Sequence, residues 1–417
     1  MNRLNSVVVG VVVVAALSGV VCGEGSLATI RVDAGAYDRV DTPVSVSVDG
    51  LAIEPGEGAL MLVEGEGGKR VTYPAQLEAG SPPTLWFILS GTTKAGATRT
   101  FSLAKAGEAN PGGITVEKTD KYLDLVHQGN KVLRYNHVIV PPPDGQDKLY
   151  ERSGFIHPLW STKGTVLTNI HPADHIHHLG IWMPWTHTQF EGKPVDFWNL
   201  KEGQGTVRFS RYLSTTQGPV YGGFKAEQEH VALKTAAGEK VVLKEVWDVR
   251  VFNVGGPEKG YRIVDFVSTQ RCVADSPLHQ EEYRYGGFGF RATGKWDEAN
   301  AEYLTSEGKN RKNGHTTRAR WCDTSGEIDG WEGITFYSHP ANFQHPEPMR
   351  IWPEGQVFFN FCPSQATAWD MEPGVDHVFR YRMYIHEGKI TVPAAERIWA
   401  DYAEPPKVTI EPAKPEG

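Results

Sequence analysis

Between residues 157 and 199 the chain carries six of its fifteen histidines, four of its twelve tryptophans and two aspartates. The densest part reads His171-Pro-Ala-Asp174-His175-Ile-His177-His178-Leu-Gly-Ile-Trp182, and Asp196-Phe-Trp198-Asn199 follows. Imidazoles titrate near neutrality, so several beside a carboxylate suit proton transfer or metal binding. His175, His177 and His178 are the acid/base candidates, and Asp196 is a group to orient them. His171, Asp174, His175 and His177 could instead ligate a divalent metal, although their spacing matches no fixed metal motif. Trp182 and Trp198 offer flat apolar faces for a sugar ring, with Asn199 beside them as a polar contact.

Pro172 and Gly180 interrupt any helix here, so a loop leading into a strand is expected. An extended backbone would send His175 and His177 to one side and His178 with Asp174 to the other. A helix would group His171, His175 and His178 instead.

Three further segments carry candidates. In Val241-Val-Leu-Lys-Glu245-Val-Trp-Asp-Val249 a period of two places Glu245 on an apolar face. A carboxylate there is costly unless paired or used, and burial would tune it as a partner base. Arg284, Tyr285 and Arg291 lie in a Gly-rich aromatic run whose guanidinium forks suit oxyanions and hydroxyls. His339, Asn342 and His345 fill a loop held by two prolines and are binding candidates. For each segment the plainer alternative is structural: a salt bridge, a strand-bridging arginine, or a loop that only bonds backbone.

The elements that must position these groups read as strands. Of 417 residues, 40% are hydrophobic, 11% aromatic and 22% charged, with 45 glycines and 27 prolines. Strand signals recur at short spacing, for example at Tyr122–His127, Val241–Val254, Tyr261–Ser268 and Phe379–His386, and no long 3.6-residue periodicity competes with them. The fold class is mainly β: a large antiparallel β-sandwich over 111–403 with a small accessory β-domain over 24–110. Residues 404–417, rich in Pro, Glu and Lys, read as a flexible tail. The apolar run Val7–Val21 behind Arg3 reads as a signal peptide over 1–23, implying a secreted or periplasmic protein. Cys22 offers lipidation as the alternative. No other stretch suggests a membrane span. A net charge of −8 without a basic stripe excludes an extended nucleic-acid surface. Beyond the leader, Cys272, Cys322 and Cys362 allow one bridge and a free thiol, or three buried thiols.

Taken in order, the His-Pro-x-x-His-x-His-His-x-Gly-x-Trp run, Asp196-Phe-Trp-Asn199, Tyr285-Gly-Gly-Phe-Gly-Phe-Arg291, His339-Pro-x-Asn342 and the run from Tyr381 to His386 resemble the PmoA-like family of secreted bacterial proteins. The resemblance covers most of residues 40–390. It implies a sandwich similar to galactose-mutarotase-like domains, in which histidines and acids line one sheet, and it transfers no catalytic assignment. The resulting expectation is a carbohydrate-active enzyme of hydrolase, lyase or epimerase type acting on an oligo- or polysaccharide. A non-catalytic carbohydrate-binding or envelope module and a metal-dependent oxygenase or hydrolase are the rivals.

Overall fold

The computed structural model describes residues 25–413 apart from 52, 54–57, 66–68 and 108–111. The leader with Cys22, and the Asn110-Pro111 part of the expected domain boundary, lie outside the described residues. Antiparallel pairing dominates. The described strands form one seven-stranded sheet, two eight-stranded sheets and a four-stranded sheet. No helix is long and apolar enough to cross a membrane among the described residues.

The two eight-stranded sheets make the sandwich. One includes Tyr122–His127, Asn130–Asn136, Phe155–Leu159, Ile181–Trp182, Phe288–Arg291 and Phe358–Phe361. The other is built on Tyr221–Thr235, Gly238–Phe252, Tyr261–Cys272 and Asp376–Glu387. Side chains alternate across a strand, so each sheet sends every second residue inward. Tyr135 meets Trp247 across the gap at 5.7 Å between ring centroids, Phe288 meets Phe266 at 5.3 Å, and Phe290 meets Phe336 at 4.9 Å. These rings belong to one continuous core. Burying an aromatic side chain contributes roughly 1.5–3 kcal/mol, so this layer dominates the cohesion of the sandwich. Tyr221–Thr235 and Gly238–Phe252 run for 15 residues each, longer than the short strands expected from composition. Few glycines interrupt them, and the Ala236-Ala237 turn joins them directly.

The accessory sheet follows the order Arg39–Ser47, Thr84–Thr93, Val71–Glu78, Leu60–Glu64, Thr98–Lys105, Ala28–Asp33, Lys407–Pro412. Its last member corrects the loose-tail reading for the described part of 404–417, residues 414–417 lying outside the described residues: Lys407–Pro412 pairs along all six residues of Ala28–Asp33. Val408 and Ile410 pack against the small core, which offsets the polar composition that suggested disorder. The preceding helix, Val392–Ala403, starts where Thr391 accepts a hydrogen bond from the Ala394 N–H, with a proline in its first turn. Its Asp401 takes the buried Arg39 guanidinium at 3.1 Å, joining the two β-regions. All three described cysteines are free and buried, so no bridge forms among them.

Candidate functional site

The histidine run is a loop, as the proline and glycine signals require. A bridge between Ile170 and Leu179 closes it. Inside, the His171 N–H donates to the His178 carbonyl at 2.9 Å, and the His178 N–H donates to the His175 carbonyl at 2.9 Å. His171 adopts a positive φ of 48° to make the turn. Gly180 ends the loop at φ +66°, where a Cβ would stand 2.3 Å from the Ile156 carbonyl oxygen, so glycine is required. This tight winding overrides both the strand and the helix expectation. It gathers the rings of His175, His177 and His178, with centroids 4.7 to 5.7 Å apart.

The loop lies against the outer face of the first sheet. In Ile181–Trp182 the isoleucine enters the core and Trp182 turns outward, and in Val357–Phe359 only Phe358 turns outward. His178 stacks on Phe358 at 4.9 Å and tilts over Trp182 at 5.0 Å. His175 leans on Trp352 at 4.5 Å. Trp198 packs on Trp182 at 4.8 Å, using space left by Gly289, whose Cβ would stand 2.7 Å from the indole.

The result is a hollow of about 130 Å³. His175, His177 and His178 form one wall, Trp198, Asn199 and Tyr285 another, and Arg284, Arg350, Trp352 and Phe358 complete it. Among the described residues no carboxylate lines it. Arg284 also borders a more open depression of about 430 Å³ with Glu282, Tyr283, Thr316, Arg318 and Gln365.

Burial keeps the three imidazoles neutral in the unliganded protein. It lowers His175, drives His177 down to about 3 with help from His175 and Arg291, and holds His178 well below its ordinary value. The Arg291 Nη1 donates to His178 Nδ1 at 3.5 Å, which leaves the remaining proton of the neutral ring on Nε2. His177 forms no hydrogen bond within the described protein. Tyr285 donates to Asn199 Oδ1 at 3.0 Å, and burial pushes its phenol up to about 12.

Several expected site residues serve from behind. Arg291 is fully buried and does not line the hollow. Its Nη2 grips Asp174 at 2.8 and 2.9 Å and also bonds Gln356, fixing the base of the histidine loop. Partial burial would raise the Asp174 carboxyl, but Arg291 and His175 overcome this and hold it below the usual carboxylate range. Trp182 supports His178 and Trp198 and does not reach the hollow as a sugar platform. Asp196 accepts from the Trp198 and Asn199 N–H groups at 2.8 and 2.9 Å and from Asn199 Nδ2 at 2.6 Å. It orients Asn199, not an imidazole.

Four candidates lie elsewhere. Glu245 is on the inner face, as its period of two requires, but its network stays within the sandwich. Its carboxylate accepts from Ser268 at 2.6 Å, Trp247 at 2.7 Å and Gln270 at 3.0 Å, and His230 Nε2 meets it at 2.8 Å. The expected pairing with His177 and His178 is not made. His339, Asn342 and His345 close a separate loop. Asn342 Nδ2 donates to Glu347 at 3.0 Å and to the Arg380 carbonyl at 2.8 Å, His345 contacts Ser338, and His339 packs on Tyr402. The local residues satisfy one another there, so the polar density has a structural cause.

The metal alternative meets a similar outcome. His171 Nδ1 is taken by the Ile176 carbonyl at 2.7 Å, and Asp174 by Arg291. Among the described residues no group of three or more His, Cys, Asp or Glu side chains is placed to hold a metal ion.

Arg350 and Trp352, downstream of the His339–Pro346 loop, and Phe358 also line the hollow, and no sequence motif assigns them a role. Arg350 sits in the short strand Met349–Ile351, and an isolated arginine in a strand carries no local signal of function.

The family model described as "Family of unknown function (DUF6807)" matches residues 122–400. The chain belongs to this family. The DUF6807 match spans the sandwich apart from its edge strand Ile114–Lys118, includes every residue of the hollow, and leaves the accessory sheet outside. No curated protein matches this sequence. Among solved structures, an alpha-mannosidase from Enterococcus faecalis V583 is similar at 10% identity and a TM-score of 0.45, covering 94% of this chain and 46% of its own. Heparan sulfate lyase HepC from Pedobacter heparinus is similar at 10% identity and a TM-score of 0.32, covering 68% of this chain and 36% of its own. The chain thus spans less than half the length of either structure.

Proposed function

We propose that this DUF6807 protein binds a saccharide in the hollow and acts on it by imidazole proton transfer. The observation that carries the reading is the convergence of His177, which has no hydrogen bond within the described protein, with Tyr285 and Trp352 in one cleft, the buried Trp198 packing behind Tyr285. Aromatic faces suit the apolar side of a pyranose, and a neutral imidazole accepts a proton. His177 is the base, and His178, with its proton on Nε2, is the donor. Asn199 and Tyr285 bind hydroxyls.

Hydrolysis by two carboxylates needs a facing acid pair. Among the described residues no carboxylate lines the hollow, so proton abstraction leading to elimination or epimerisation fits its chemistry better. A leader over residues 1–23 would deliver the protein outside the cytoplasm, where such substrates occur.

The test is a screen of oligosaccharides for turnover by the wild type, His177→Ala and His178→Ala. A general base contributes roughly 10²–10⁴-fold, so His177→Ala should lose at least a hundredfold in kcat while melting near the wild type. Equal turnover in all three proteins would remove the catalytic assignment.

A further inference from the structure

The chain carries 50 acidic side chains against 42 basic ones. Many of its arginines are accordingly matched: Arg134 with Asp124, Arg250 with Glu78, Arg271 with Asp376 and Arg382 with Asp265. The arginines at the hollow are not. Arg284 and Arg350 both sit over the Tyr285 ring, their guanidinium carbons 5.8 and 5.2 Å from its centroid, and neither forms an ion pair among the described residues. Arg318, across the adjoining depression, is fixed by the Gln344 and Pro346 carbonyls at 2.7 and 2.8 Å and by Gln344 Oε1 at 3.1 Å. These bonds orient its guanidinium without neutralising it. Among the described residues Glu282 is the one acid bordering the depression, and it pairs with neither cation.

The neighbouring imidazoles are neutral and give no compensation. Arg350 already pays for this crowding, since burial and then Arg284 lower its hold on its proton. Two guanidiniums gathered over one aromatic ring, in a cleft without an acid, leave positive charge for a ligand to satisfy.

Resting on the saccharide reading above, we infer that the hollow and the depression beyond Arg284 form one groove for an acidic saccharide, whose carboxylate or sulfate sits on Arg284 and Arg350. One sugar ring occupies the hollow against Tyr285 and Trp352, and the chain leaves past Arg284 towards Arg318. Two volumes of about 130 and 430 Å³ sharing the Arg284 wall suit a short oligosaccharide better than a lone monosaccharide. A bound anion also makes the adjacent imidazoles easier to protonate, so the substrate itself would bring His177 towards a working basicity.

Calorimetry with matched ligands tests this. The probes are uronate tetramers of several epimers, their neutral methyl esters, and neutral tetramers with and without sulfate, each against the wild-type full chain, Arg284→Gln, Arg350→Gln and Arg350→Lys. A uronate or sulfated tetramer should bind at least tenfold tighter than its uncharged counterpart, and which of the two binds identifies the anion. Each Gln variant should lose at least tenfold, and Arg350→Lys should lose less. The wild-type comparison stands even if a variant folds poorly. Equal binding of charged and uncharged ligands, unchanged by the Gln variants, would overturn the anion inference and leave the saccharide reading in place. Binding of none of the tetramers would overturn both.

Discussion

His177 and His178 are neighbours in the chain, yet their rings meet edge to face with centroids 4.7 Å apart and an interplanar angle of 90°. Adjacent side chains on a strand would point to opposite faces. Only the turn that bonds the His178 N–H to the His175 carbonyl brings both imidazoles to one wall. Packing then sets their electrostatics.

Depressed imidazoles have a direct signature. His177 should remain neutral in the folded protein down to about pH 3, against 6.5 for the free side chain. Its folded-state value is the lower one. The stability linked to it is therefore complete above pH 6.5 and is lost as the pH falls towards 3. Titration of the histidine NMR signals checks this, and a ring at position 177 that protonates near 6.5 would contradict the burial argument.

The loop should also depend on its buried anchor. Arg291→Lys keeps the charge but loses the fork that grips Asp174 and Gln356, leaving polar groups poorly satisfied in a closed site. A cost of about 2 kcal/mol is expected, with weakened ligand binding because the histidine wall loosens. Urea unfolding and calorimetry measure the two effects separately.

Gly180→Ala should be more damaging than its size suggests. The new Cβ would need a positive φ and would stand 2.3 Å from the Ile156 carbonyl oxygen, so the backbone must shift. We expect a loss of roughly 2 kcal/mol or more, read as a lower Tm.

Glu347 should set an opposing pH dependence. Complete burial raises its carboxyl from 4.5 to about 7, although Ser338, Asn342 and Tyr381 all bond it. The folded state thus keeps a proton that the unfolded chain releases. The stability linked to this group is full below pH 4.5 and is lost as the pH rises through about 7, a change on the order of 3 kcal/mol. Denaturation curves of the wild type between pH 4 and 8 should show this slope, and Glu347→Gln should remove it.

Glu245→Gln separates structure from function. One carboxylate oxygen serves Ser268, Trp247 and Gln270, and the other meets His230, so an amide removes the charge that strengthens these bonds and keeps His230 only if that ring accepts at Nε2. A loss of roughly 2–3 kcal/mol is expected. Oligosaccharide binding at the hollow, measured well below the unfolding temperature, should be unchanged.

Alternation and turn residues made much of the fold legible. The strand over Tyr122–His127 is found with the expected limits, and Glu245 faces inward as its neighbours require. Lys407–Pro412 was illegible because its partner, Ala28–Asp33, lies nearly the whole chain away, and a polar strand gains its order only from that pairing. The histidine run stood out as chemistry by density alone. His339, Asn342 and His345 looked similar in composition, but nothing local revealed that Glu347 and Arg380 consume their loop's hydrogen bonds.

Side-chain type and local spacing by themselves determined that this chain is built of antiparallel strands and that residues 171–199 hold its densest run of imidazole and indole side chains. Tertiary structure decided which of the candidates meet. It placed Arg284, Tyr285 and Arg350 opposite the imidazoles and withdrew Glu245 and Arg291 into the interior. The reason is that period-two alternation specifies a face but not the partner across it, and a site made of distant segments exists only once the sheets have packed.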